Sequence, residues 1–79
     1  MQWTYRLAVN GPVPQVVEDR IGSRFGEVAI HAENGRTVLT GLIADQPALR
    51  ALTGLLWDLG CEIVLLVVTP DGAYVTRPR

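Results

Sequence analysis

An α+β architecture, two helices laid on one side of a four-stranded antiparallel sheet, follows from three features of this 79-residue chain. Apolar and polar residues alternate through Trp3–Asn10, the period of a half-buried strand. An Asn34-Gly35 pair sits between two further strand-like runs. Two Pro-led segments with apolar residues at helical spacing flank that central pair, one before it and one after.

The elements follow in order. Trp3, Tyr5, Leu7 and Val9 alternate with Thr4, Arg6, Ala8 and Asn10, and Asn10-Gly11-Pro12-Val13-Pro14 ends the run. A helix is predicted from Pro14 to Phe25, with Val17, Ile21 and Phe25 on one face. Pro14 suits its first turn, where the missing N–H costs nothing, and Gly26 suits the position past its end. Gly22 weakens its middle. Glu27–Ala32 and Arg36–Ala44 read as the second and third strands. Asn-Gly is the preferred pair for a two-residue type I′ turn, because both central residues need positive φ. That turn sets Glu33 opposite Arg36, His31 opposite Val38 and Ala29 opposite Thr40. Val28, Ile30, Leu39, Gly41 and Ile43 then share one face of the sheet. Asp45 is the expected N-cap of a second helix with Pro47 in its first turn. Ala48, Leu49, Leu52, Leu55, Leu56 and Leu59 form its apolar stripe, and Gly60 ends it. Ile63–Thr69 is the fourth strand and Pro70-Asp71-Gly72 a turn. Ala73–Thr76 is expected as a short extra edge strand, closing a single domain at residue 76 before the tail Arg77–Arg79.

The order is βαββαβ. Right-handed crossovers place the strands 4-1-3-2 with both helices on one face, the ferredoxin-like sandwich.

Composition limits the function. With 48% apolar and 19% charged residues the chain is not of the disordered class. Cys61 and His31 are the only residues of their types, which leaves no disulfide, no cysteine cluster and no His/Cys zinc set. No metal and no cofactor are expected. Seven basic against eight acidic residues, scattered, give no cationic face for nucleic acid. The longest apolar run, Ile63–Val68, is too short to cross a bilayer. Met1–Arg6 lacks the pattern of a signal peptide, so a cytoplasmic location is expected.

The sheet face away from the helices should be polar in a monomer. The fourth strand is instead apolar on both sides. Val64, Leu66 and Val68 are expected on the open face with Val38 and Leu42; in the opposite phase Ile63, Leu65 and Val67 take their place. A contiguous patch of this kind points to a homodimer or a protein partner. Trp57 falls opposite the leucine stripe, beside Arg50, Thr53 and Gly54. It is either a second contact or a residue covered by the C-terminal segment with Tyr74 and Val75.

Candidates for chemistry are few. Arg6, His31, Glu33 and Thr40 should share the open face, as an anion or proton-transfer site or as a solvated cross-strand cluster. A flat face supplies no cleft, so no catalytic residue is assigned. Cys61 follows a helix end, lacks the dipole that activates a thiol, and reads as a small apolar filler. The strand-to-helix loops Asn10-Gly11 and Asp45-Gln46 are candidate small-molecule sites, because helix N-termini present free N–H groups. Asp45 as a simple cap is the plainer reading.

Asp45-Gln46-Pro47-Ala48-Leu49, with Leu59-Gly60 and Glu62-Ile63 after it, resembles the D-x-P-G-x-L…G-x-x-I pattern of ACT regulatory domains. That likeness implies amino-acid binding at a strand-to-helix loop in a dimer interface, with Ala48 where the family has glycine. Val9-Asn10-Gly11-Pro12-Val13-Pro14-Gln15-Val16 resembles the V-x-G-x-V-Q-G-V stretch of acylphosphatases. The likeness places that family's arginine near Asp19 and Arg20, and its asparagine near the apolar Ala29 and Ile30. It therefore covers the scaffold and not the catalytic residues. RNA-recognition motifs need stacking aromatics on the third strand, and Thr37–Gly41 has none. The Gly41-Leu42…Leu59-Gly60 run is similar to small uncharacterised bacterial proteins, which implies the fold alone. Together these readings favour a non-catalytic module that self-associates or docks on a larger protein through its open sheet face. An ACT-like amino-acid-binding domain is the alternative, and a degenerate acylphosphatase-like hydrolase is third.

Overall fold

The computed structural model describes residues 2–70. Six elements follow in chain order: β1 (Trp3–Asn10), α1 (Gln15–Phe25), β2 (Val28–Glu33), β3 (Arg36–Ile43), α2 (Gln46–Asp58) and β4 (Ile63–Pro70). The sheet runs β2-β3-β1-β4 with every neighbouring pair antiparallel. Read from the other edge, this is the 4-1-3-2 ferredoxin-like sandwich. The extra strand expected at Ala73–Thr76 lies outside the described residues.

Local chemistry sets the element ends. Asn34 (φ 53°) and Gly35 (φ 79°) both adopt positive φ, and the β2–β3 register is the expected one, Glu33 opposite Arg36 and His31 opposite Val38. Pro14 stays extended at ψ 152°, so α1 begins one residue later than its sequence pattern suggests. The Asp45 side chain accepts the Ala48 N–H at 2.9 Å and caps α2. At the other end the Gly60 N–H reaches the Trp57 carbonyl at 3.0 Å and the Cys61 N–H reaches that of Leu56 at 2.9 Å. With Gly60 at φ 84° this is a Schellman motif, and it turns the chain toward β4.

The core lies over the two central strands. Tyr5, Leu7 and Val9 of β1 and Leu39 and Ile43 of β3 pack against Val17 and Ile21 of α1 and Leu52, Leu55 and Leu56 of α2. The edge strands reach it only through half-buried side chains: Val28 and Ile30 from β2, Ile63 and Val68 from β4. Leu59, counted in the apolar stripe, sits at the C-cap and is exposed.

Tyr5 stands opposite Gly41, and its buried ring lies against the β3 backbone. A Cβ at position 41 would come within 2.8 Å of the Tyr5 Oη and 3.0 Å of two ring carbons. The ring is 1% exposed and belongs to the core cluster, so making room for a methyl group requires its packed neighbours to shift. Gly41→Ala is therefore expected to destabilise the fold by about 1–3 kcal/mol. In a thermal melt that is a drop of roughly 5–20 °C.

Candidate functional site

Directly opposed residues in an antiparallel sheet share a face. The register therefore assigns each β4 side chain. Tyr5 faces Val68 and Leu7 faces Leu66, so Leu66 and Val68 stand on the helix side. Arg6 faces Val67 and Ala8 faces Leu65, so those two stand on the open side. The register then shifts: Val9 pairs with Ile63, which leaves Val64 as the extra residue of a β-bulge. The expected open-face set Val64, Leu66 and Val68 is corrected, since Leu66 and Val68 stand on the helix side, Val68 packed on the core and Leu66 still exposed, and Val64 sits in the bulge. The opposite-phase triplet is split as well, because the bulge returns Ile63 to the core side.

The open face has two parts. Its polar part is built across three strands. The Glu33 Oε1 is 3.7 Å from the Arg6 Nη2 and 3.3 Å from the His31 Nε2. Arg6 lies opposite Thr40 and Glu33 opposite Arg36, so the ion pair spans β3 across Val38. Val38 is accordingly 4% exposed, not the open contact its position suggests. A shallow cavity of about 350 Å³ remains there, with Ala8 and Val38 among Arg6, Glu33, Arg36 and Leu65. All three members of the Arg6–Glu33–His31 cluster are about half exposed, and no wall shields them from water. It is a solvated cross-strand cluster.

The apolar part is narrower. Leu65 (44% exposed) and Val67 (48%) stand side by side along β4, next to Ala8 and Arg6. Leu42 (45%) lies two strands away, beyond Thr4 and Thr69. Trp57, 72% exposed, belongs to the outer side of α2 and to a different surface. The cover considered for it, Tyr74 and Val75, lies outside the described residues.

The two candidate ligand loops do not meet. Asn10 pairs near Arg36 at one end of β1, and Ile43 stands opposite Trp3 at the other. Seven residues of strand, about 23 Å, separate them. Asn10 is taken up by Glu62, donating from its N–H to the carbonyl and from Nδ2 to Oε1, both at 3.0 Å. The Gly11 N–H bonds the Gly35 carbonyl at 2.9 Å, and the Gly11 carbonyl accepts from the Thr37 Oγ1 at 2.7 Å. Asp45 and Gln46 do border a cavity of about 340 Å³ between α2 and β4. Trp3, Leu49, Leu66 and Val68 form its apolar wall, and Arg50 stands at its rim.

Residues 4–67 match the model of a family described as a domain of unknown function, DUF8691, a span that takes in all six elements. The chain belongs to that family. No curated protein and no solved structure matches it.

Of the residues that the acylphosphatase likeness singles out in this DUF8691 domain, Arg20 is exposed on α1, Asp19 accepts from the Gln15 Nε2 at 3.1 Å, and Ala29 and Ile30 carry no polar side chain. Among the described residues no group of three His, Cys, Asp or Glu is placed to hold a metal ion, and no helix is long and apolar enough to cross a membrane. Cys61, half-buried against the core after the Schellman turn, has its thiol pKa pushed up by that burial. Less thiolate forms near neutral pH than on an exposed cysteine. Alkylation of the folded chain by iodoacetamide should be slower than that of free cysteine, with its rise displaced to higher pH; unfolding in urea should remove the difference.

Proposed function

We propose that this domain is a non-catalytic interaction module that self-associates or docks on a larger protein through its open sheet face. The observation that carries the reading is the pair Leu65 and Val67, adjacent, aliphatic and nearly half exposed, on a face whose other part is charged. An apolar centre beside a polar rim is the anatomy of a protein interface. Leu42 adds a separate apolar point on the same face, beyond Thr4, and Arg6, His31 and Glu33 supply the rim. Full burial of such a side chain is worth about 1.5–3 kcal/mol, so covering the exposed half of three gives roughly 2–4 kcal/mol. Association costs about 4–15 kcal/mol in lost freedom, so these side chains need further contacts beside them. The same reading places the chain in the cytoplasm, where a lone thiol stays reduced.

The cavity at Asp45 and Gln46 supports a second reading, an ACT-like amino-acid-binding domain. An acidic and a basic side chain, Asp45 and Arg50, stand at an apolar wall, which suits a zwitterion with an aliphatic side chain. Its volume of about 340 Å³ falls within the range of small-molecule sites.

Each reading has its own measurement. Sedimentation of the wild type over a wide concentration range should show association, and Val67→Asp should remove it while shifting the melting temperature by only a few degrees. A wild type that stays monomeric, alone and mixed with the variant, ends the self-association form of the first reading. For the second, Trp57→Phe leaves Trp3 as the reporter. Titration with leucine should change its fluorescence with saturation, and Arg50→Ala should weaken the response at least tenfold. A flat titration rules the amino-acid site out.

A further inference from the structure

We infer that the outer edge of β4 pairs with the β4 edge of a second copy of this chain, antiparallel about a two-fold axis at Val67, so that two four-stranded sheets become one. This rests on the reading of the domain as an interaction module and names both the partner and the atoms that meet it.

β4 ends the sheet among the described residues and is paired there on one side only, by β1. Among the described residues no hydrogen bond reaches its outer N–H and C=O groups. Three consecutive side chains beside that open backbone are exposed: Leu65 (44%), Leu66 (40%) and Val67 (48%). They lie on both faces of the sheet. A partner laid on the open face covers Leu65 and Val67 and leaves Leu66 wet. An occupant of the cavity under α2 covers Leu66 and leaves the other two. A strand added at the edge flanks all three and satisfies the backbone as well.

The opposite edge differs. β2 carries the charged Glu33 and the polar His31 with small alanines at 29 and 32, and such polar side chains guard an edge against pairing. From Ile63 to Pro70 there is no charged residue. The two protective devices of β4, the bulge at Val64 and Pro70 at the far end, leave Leu65–Thr69 between them in regular register.

The strand also complements itself. A two-fold at Val67 sets Leu66 opposite the partner's Val68 and Val67 opposite the partner's Val67, which keeps the bulge at Val64 outside the pairing. No like charges are brought together, although each copy carries net charge −1. On the open face the two Val67 side chains meet, with Leu65 beside them from each copy, and on the helix side each Leu66 meets the partner's Val68. Such an isologous contact closes as a dimer. The five residues Leu65–Thr69 measure about 17 Å. The contact is thus smaller than the roughly 800 Å² per partner of a standard interface, and the dimer should exchange with monomer at accessible concentrations.

The test is sedimentation velocity of the full chain across a hundredfold concentration range, with amide hydrogen exchange read along β4. The wild type should pass from monomer to dimer, and the outward amides of Leu65–Thr69 should exchange more slowly as concentration rises. Leu66→Lys, a change on the helix side, should raise the dimer dissociation constant at least tenfold, whereas Leu42→Lys, on the open face, should leave it unchanged. The reverse result, a dimer lost in Leu42→Lys and kept in Leu66→Lys, overturns edge pairing while upholding docking through the face. A monomeric wild type whose β4 amides are protected at every concentration also overturns it, and assigns the edge to the chain's own residues beyond Pro70. Should Leu66→Lys fail to fold, the concentration dependence of the wild-type β4 amides decides: no dependence overturns the pairing.

Discussion

One extra residue in β4 decides what each side of this sheet presents. Glu62 holds Asn10 through two hydrogen bonds and so anchors the start of the strand. Leu65 is already opposite Ala8, and the chain has one residue too many between the two anchors. Val64 absorbs it as a bulge. The consequence is a change of phase: Ile63 joins Val9 on the core side, while Leu65 and Val67 are turned to the open side. A regular ladder would set Ile63 beside Asn10 on the open face and spend Val64 on the core. The bulge brings the larger side chain inward and sets two uncovered aliphatics of the open face in the middle of β4.

The polar part of the open face works with the same economy of space. Arg6 and Glu33 come from strands that do not touch, and their pairing closes over the β3 residue between them. An ion pair this exposed contributes about 0–1 kcal/mol to stability. Its larger effect is geometric, since the arginine stem and the carboxylate shield Val38 and leave one charged and one aliphatic zone on a single face. A surface so divided favours partners that match both zones, and it explains why the face is not the uniform apolar sheet that its aliphatic content suggests.

The position of the core makes the two edges important. Every fully buried strand residue of the core cluster comes from β1 or β3, so β2 and β4 are wet on one or both sides. β2 meets this with polar and small side chains, and the tight turn at Asn34-Gly35 ties it to β3. β4 meets it with leucine and valine. An uncharged aliphatic edge in an otherwise ordinary small sandwich is the feature that most requires a functional explanation.

Short-range chemistry was readable from the residue order. Asn34-Gly35 specified the turn and with it the whole β2–β3 register; Asp45 and Gly60 bounded α2; Val17 and Ile21 marked the inward face of α1. Each of these signals acts within a few residues, and connection rules then left one strand order. The phase of β4 was not readable, because Ile63–Val68 is apolar at every position and alternation carries no information in a uniform run. Nor does Val64 bear a glycine or other mark of a bulge. The burial of Val38 and the separation of the Asn10 and Asp45 loops likewise depend on strands far apart in the chain. Those outcomes are fixed by packing and pairing between distant segments, where a one-residue change of register moves every side chain to the other face.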